Sequence, residues 1–143
     1  ALLAVRVSAD RSSRAQYRVT RTRSSTRTLT PLREVPQSIT VLGPQILRDL
    51  GLQTMARAME YVPGVTMGQG EGHRDAPTIR GQSTTADFFV DGVRDDAQYF
   101  RDSYNVLQIE ALKGANALAF GRGGGGGVET AAELFDSASG IDQ

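Results

Sequence analysis

Cysteine is absent from all 143 residues, which removes disulfides and thiolate metal sites but leaves the compartment open, since many exported proteins avoid cysteine. Long apolar runs are absent too. Nothing approaches the roughly 18–20 residues of a membrane-spanning helix, and no succession of alternating strands of about ten residues predicts a membrane barrel within this segment. The segment is therefore expected to make no direct bilayer contact. Aromatic residues are scarce, four Tyr and five Phe against sixteen Gly, which predicts an aliphatic, loop-rich core. A signal peptide is missing, and a start at Ala1 fits a processed or trimmed chain.

What is present is about one domain's worth of chain, with 39% hydrophobic and 22% charged residues. The formal net charge of zero hides an asymmetry: residues 1–33 hold eight arginines against the single acid Asp10, and the remainder holds eight basic residues against fifteen acids. The basic, Ser/Thr-rich first stretch lacks apolar periodicity and cannot bury enough surface to offset its conformational entropy. Residues 1–28 or so are accordingly expected to be disordered.

Order is expected from Val35–Leu42, a β-branched alternation that reads as a strand and ends at Gly43-Pro44. Pro44 suits the first position of a short helix through Asp49, with Gly51 as its stop. Thr54 is placed to cap a second helix, in which Met55, Ala58, Met59 and Val62 fall at i, i+3, i+4 and i+7 before Pro63-Gly64. Methionines in such a stripe read as core filling. Short strands follow at Val65–Met67, Thr78–Arg80, Asp87–Asp91 and Val106–Lys113, and Gly114–Phe120 reads as one more helical turn. The expected class is α+β: a small mixed β-sheet of about four strands with short helices and long polar loops, preceded by a disordered arm.

Enzymatic constellations are incomplete. The run Gly121-Arg122-Gly123-Gly124-Gly125-Gly126-Gly127 is followed by Val128-Glu129 where a phosphate-binding loop needs Lys and Ser/Thr, so a tight turn leaving the domain is expected instead. His73, the one histidine, sits in a polar loop beside Glu71, Arg74 and Asp75 without metal-ligand spacing. Asp95, Asp96 and Asp102 have no accompanying nucleophile or oxyanion donor and read as solvated loop charges. The basic arm has only Tyr17 among its arginines and no recognition module after it, so nucleic acid is not an expected partner. No enzyme and no resident cofactor are expected.

More specific are six phrases in order: Pro31-Leu32-Arg33-Glu34-Val35-Pro36-Gln37-Ser38-Ile39-Thr40-Val41, Val62-Pro63-Gly64-Val65, Ile79-Arg80-Gly81, Val90-Asp91-Gly92-Val93, Ile109-Glu110-Ala111-Leu112-Lys113-Gly114 and Phe120-Gly121-Arg122-Gly123. Together they resemble the plug domain of TonB-dependent outer-membrane siderophore receptors over residues 31–128. The stretch Asp95–Asp102 is most similar to the catecholate-type receptors. The resemblance implies three parts: residues 1–30 as a flexible basic arm, 31–128 as the plug, and 129–143 as a tail or linker outside the family pattern. In that family the plug fills a barrel of roughly 22 strands. Its location is then the lumen of that barrel in the outer membrane of a Gram-negative bacterium, with the N-terminus in the periplasm.

The resemblance also implies partners and sites. Ferric siderophore is the transported ligand, its iron kept within the chelator, so no protein metal ligand is expected. Loops 68–75, 82–86 and 97–101 would lie nearest to it, with Gln69, Arg74, Gln82, Ser83, Thr84, Gln98, Tyr99 and Phe100 as contact residues. Arginine and amide donors suit anionic chelator oxygens, and the aromatic rings suit planar ones. A TonB box resembling Leu3, Ala4, Val5, Arg6, Val7, Ser8 and Ala9 would pair as an added strand with the TonB protein. The barrel itself, whether continuous with this chain or cognate, is the third partner. Arg80, Arg94, Arg101 and Arg122 would form ion pairs with Glu60, Asp91 and Glu110 or with the barrel wall. One departure stands out: the family pattern continues into barrel strands, whereas Thr130–Phe135 reads as a helical turn and Ser137–Gln143 as linker. This leaves open a free-standing periplasmic module that binds an iron chelate or TonB without a barrel.

Overall fold

A computed structural model describes residues 17–68, 70–83, 88–95, 97–114 and 126–132. The chain opens with a small antiparallel pair, β1 (Arg21–Thr22) with β2 (Thr30–Pro31), and a single 3-10 turn at Leu32–Glu34. Strand β3 (Ser38–Leu42) and helices α1 (Pro44–Asp49) and α2 (Met55–Met59) follow. Next come β4 (Val65–Gly68), β5 (Ala76–Ile79) and β6 (Gln82–Ser83), an antiparallel three-stranded sheet. Strands β7 (Phe88–Val90), β8 (Val93–Arg94), β9 (Val106–Lys113) and β10 (Gly126–Ala132) join β3 in a five-stranded sheet of order β3-β9-β10-β7-β8. Only the β10–β7 pair is parallel, so the sheet is mixed and the expected α+β class holds, with five strands rather than about four.

Local chemistry explains both helices. Pro44 occupies the start of α1, where its missing N–H costs nothing. At the other end Gly51 takes φ +59°, and the Leu52 N–H donates to Leu47 O at 2.9 Å while the Gly51 N–H donates to Arg48 O at 3.1 Å. This is a Schellman stop, and its two leucines, Leu47 and Leu52, both enter the core. In α2 the Thr54 hydroxyl accepts from the Arg57 N–H, a cap that stabilises by about 1 kcal/mol. The periodic residues Met55, Ala58, Met59 and Val62 are all buried, as their spacing predicts.

Strand β9 is the centre of the molecule. It pairs with β3 on one side and β10 on the other, and its last five residues are buried whichever way they point. Alternation places Ile109, Ala111 and Lys113 on one face and Glu110 and Leu112 on the other. Ile109 and Ala111 join Phe88, Leu42 and the helical residues in the main core. Glu110, on the opposite face, accepts hydrogen bonds from the Ser24 hydroxyl at 2.6 Å and from the Thr22 hydroxyl, so the β1–β2 pair covers that side.

Two family-like phrases turn out to be tight hairpin turns. Ile79 pairs with Gln82 and Val90 with Val93, leaving the two-residue loops Arg80-Gly81 and Asp91-Gly92. All four residues have positive φ (+50°, +83°, +49° and +80°), the signature of the type I′ turn whose twist matches antiparallel strands.

Three expectations need correction. Residues 21–28 are not disordered: Thr22 and Ser24 are buried, because Glu110 supplies the polar partner that the local sequence lacks. Gly126 and Gly127 do not leave the domain in a turn but open β10, which inserts between β9 and β7. Thr130–Ala132, expected as part of a helical turn, continue that strand, since ladders on both sides override the weak β propensity of glycine and alanine. The turn expected at Gly114–Phe120 lies, beyond Gly114, outside the described residues, as do residues 133–143.

Candidate ligand-facing loops

The loop following β4 and the loop following β8 are fastened to each other. The Asp75 N–H donates to Tyr99 O at 3.1 Å, and the Arg101 N–H donates to the Asp75 carboxylate at 2.8 Å. Beyond them, the Met55 N–H donates to Arg101 O and the Ser103 N–H to Gln53 O, both at 2.9 Å. Residues 99–103 thus run as an extended strap between the 70–75 loop and the start of α2. Asp75 is almost fully buried, and burial pushes its carboxyl above the ordinary 3.8, against the hydrogen bond and charge of Arg101.

Side chains bring four of the expected contact residues together on this frame. The Arg74 guanidinium donates from Nη1 to Gln98 Oε1 at 2.6 Å, bridging the two loops, while its buried Nε has no partner among the described residues. Tyr99 and Phe100 are exposed to 44% and 51%, large apolar surfaces left open beside the Arg74–Gln98 pair. The Tyr99 hydroxyl donates to the Asp95 carboxylate at 2.6 Å, which raises the phenol above its ordinary value, with burial adding to the effect.

The remaining contact residues stand apart. Gln82 and Ser83 are exposed on β6 opposite Ile79 and Thr78, near the end of β5 farther from the 70–75 loop. Gln69, Thr84 and the Leu3–Ala9 segment lie outside the described residues. Two clefts, of about 600 and 500 Å³, also lie elsewhere, the first lined by Leu47, Leu52 and Tyr104 and the second by Thr22, Arg27 and Glu110. Gln98, Tyr99 and Phe100 are exposed beside the half-buried Arg74.

Three of the residues expected in ion pairs have other partners. Arg101 pairs with Asp95 at 3.1 Å, not with Glu60, Asp91 or Glu110. Glu60 pairs with Arg57 on the surface, and Glu110 accepts from Thr22, Ser24 and Gln108. Arg94 lies over the Phe89 ring at 5.0 Å. Asp95 was expected as a solvated charge; its pairing with Arg101 six residues later has no periodic signal, because a loop has no repeat to set which side chains meet. Lys113 ends β9 with its ammonium donating to Pro63 O at 2.8 Å, and burial, with the charge of Arg80 adding, lowers its pKa below 10.5. His73 is exposed, and no cluster of three or more metal-ligating side chains occurs among the described residues.

Comparison with known proteins decides the family. Residues 31–128 match the family model described as TonB-dependent Receptor Plug Domain. The chain belongs to this plug-domain family. A probable TonB-dependent receptor of Bordetella pertussis, BfrD, is 37% identical over 100 residues, covering 68% of this chain and 14% of the relative. The catecholate siderophore receptor Fiu of Escherichia coli K12 is 30% identical over 118 residues, 78% of this chain and 16% of Fiu. Among solved structures, Pseudomonas aeruginosa FpvA bound to a heterologous pyoverdine superposes with a TM-score of 0.75 at 29% identity, over 83% of this chain and 17% of FpvA. The plug chain thus spans about one-seventh of the length of the curated relatives it matches. The relatives are receptors, and the resemblance stated from the six phrases is the family that matches.

Proposed function

We propose that this plug domain serves a TonB-dependent outer-membrane receptor in ferric siderophore uptake, closing the passage of a β-barrel and lending its exposed loops to ligand recognition. The observation that carries the recognition half is the joining of Arg74, Gln98, Tyr99 and Phe100 on two cross-fastened loops. A cationic guanidinium, an amide and two open aromatic rings together suit a planar, anionic chelator, and a catecholate siderophore fits that description. Gln69, Gln82, Ser83 and Thr84 are proposed as outer contacts on the neighbouring segments.

Iron stays inside its chelator in this reading, so the protein supplies no metal ligand and breaks no bond. The domain acts in the barrel lumen of an outer membrane, with its N-terminus on the periplasmic side. Residues 3–9 pair with TonB as an added strand, whose main-chain hydrogen bonds transmit a pull to the plug.

The test is a titration of the chain with ferric catecholate and ferric hydroxamate siderophores, followed by heteronuclear NMR. Shifts concentrated at Arg74 and Gln98–Phe100, larger with catecholate, are the expected result. A dispersed spectrum unchanged at millimolar ligand overturns recognition by these loops alone and leaves only the gating role.

A further inference from the structure

We infer that Arg101 is the positioning residue of the recognition surface: its buried guanidinium holds Asp95, Ala97 and Tyr99 so that Gln98, Tyr99 and Phe100 are exposed beside Arg74. The inference rests on the recognition reading above, but its structural half stands on separate observations.

Arg101 is only 6% exposed, an uncommon state for arginine, which is rarely buried unless paired. Its guanidinium spends its donors on the loop that precedes it. Nε donates to the Asp95 carboxylate at 3.1 Å, and Nη2 donates to Asp95 O at 3.1 Å and to Ala97 O at 2.8 Å. Nη1 reaches Tyr99 O at 3.4 Å. The Arg101 Cζ lies 3.8 Å from the centroid of the Phe88 ring and 4.4 Å from that of Tyr99. Phe88 belongs to the main core, so the stack ties the loop to the sheet.

Three consequences follow from this geometry. The carbonyls of residues 95, 97 and 99 all accept from one guanidinium, and the side chains at 98 and 100 are left exposed. The Asp95 carboxylate is held at the place where it also accepts from the Tyr99 hydroxyl, which orients the Tyr99 ring. Meanwhile the Arg101 backbone is clamped by Asp75 on one side and Met55 on the other, so the guanidinium has a fixed origin. Lysine cannot substitute: a compact ammonium with three donors cannot serve the Asp95 carboxylate and three separate carbonyls as the guanidinium does while also lying over two rings.

The test uses Arg101→Lys and, as a milder change that keeps the shape of the partner, Asp95→Asn. Amide exchange, the titration of the Tyr99 phenol and the siderophore titration are read on both variants and on the unchanged chain. Positioning predicts that exchange of the Asp75 and Arg101 amides, which hold the two loops together through Tyr99 O and the Asp75 carboxylate, accelerates about tenfold or more while β9 keeps its protection. It also predicts that the Tyr99 phenol moves down toward its ordinary value in both variants as the Asp95 hydrogen bond is lost or weakened. Ligand shifts at Gln98–Phe100 should disappear in Arg101→Lys. Unchanged exchange and unchanged Tyr99 titration overturn the inference, and so does loss of protection throughout β9 in both variants, which would make Arg101 a general stability residue. If the unchanged chain gives no ligand shifts, the recognition reading falls, and the exchange and phenol readouts still decide whether Arg101 shapes the loop.

Discussion

Asp75 shows how one residue can connect loops at a cost. Its carboxylate fixes the Arg101 backbone, yet it is 3% exposed and held above the ordinary pKa of 3.8 by burial. A carboxyl whose folded pKa is raised binds more protons folded than unfolded in the window starting at 3.8, so stability falls as pH rises through that window. Asn keeps an acceptor for the Arg101 N–H and has no charge to bury. Denaturation midpoints of Asp75→Asn and the unchanged chain, measured from about pH 3 upward, are therefore expected to diverge in favour of the variant as pH rises. A constant difference across the series sinks the assignment. Among the proposed contact residues, Arg74, Gln98, Tyr99 and Phe100 were legible as residue types suited to a chelator. Their common frame was not, because Asp75 and Asp95 look like ordinary loop charges, and the partner of Arg101 is set only by tertiary contacts.

Among the elements, those held by local chemistry were readable. Pro44, Gly51 and Thr54 mark the ends of α1 and α2 through backbone requirements that act within one turn. The strand β9 was readable over its full Val106–Lys113 extent. The Arg80-Gly81 turn between β5 and β6 belongs to the same class of local feature. A Cβ added at Gly81 meets nothing within 4 Å, so Gly81→Ala isolates the cost of φ +83° from any clash. It is expected to lower stability by about 1–2 kcal/mol, visible as a shift of the denaturation midpoint, with Gly81→Asn recovering part of the loss. A neutral Gly81→Ala rules out the type I′ reading. Strand β10 was missed for the opposite reason: glycine and alanine carry no strand signal, and its register comes wholly from β9 and β7.

At the scale of the whole molecule, the five-stranded sheet needs cover on two faces, and different parts of the chain supply it. The helices and the residues around Phe88 cover one face, while the β1–β2 pair reaches the other through Thr22 and Ser24 on Glu110. A buried carboxylate held by neutral donors depends on each of them, because an unmet hydrogen bond to charge is costly to leave. Thr22→Val, which keeps the shape and removes the hydroxyl, is expected to destabilise the domain by about 1.5–3 kcal/mol and to speed amide exchange in residues 21–31 before β9 responds. Simultaneous loss of protection in both regions would mean that the β1–β2 pair is no separate cover. The sequence by itself determined the class, the family-like phrases and the ends of the helices, because turns, caps and periodic burial are decided by neighbours a few residues apart. Only the tertiary structure decided that a basic, Ser/Thr-rich stretch is ordered, that Gly126 and Gly127 open a strand, and that Arg101 bonds to Asp95 and Ala97. Each of those depends on a partner far along the chain: Glu110 for Thr22, Lys113 and Leu112 for Gly126 and Gly127, and the core ring of Phe88 for Arg101.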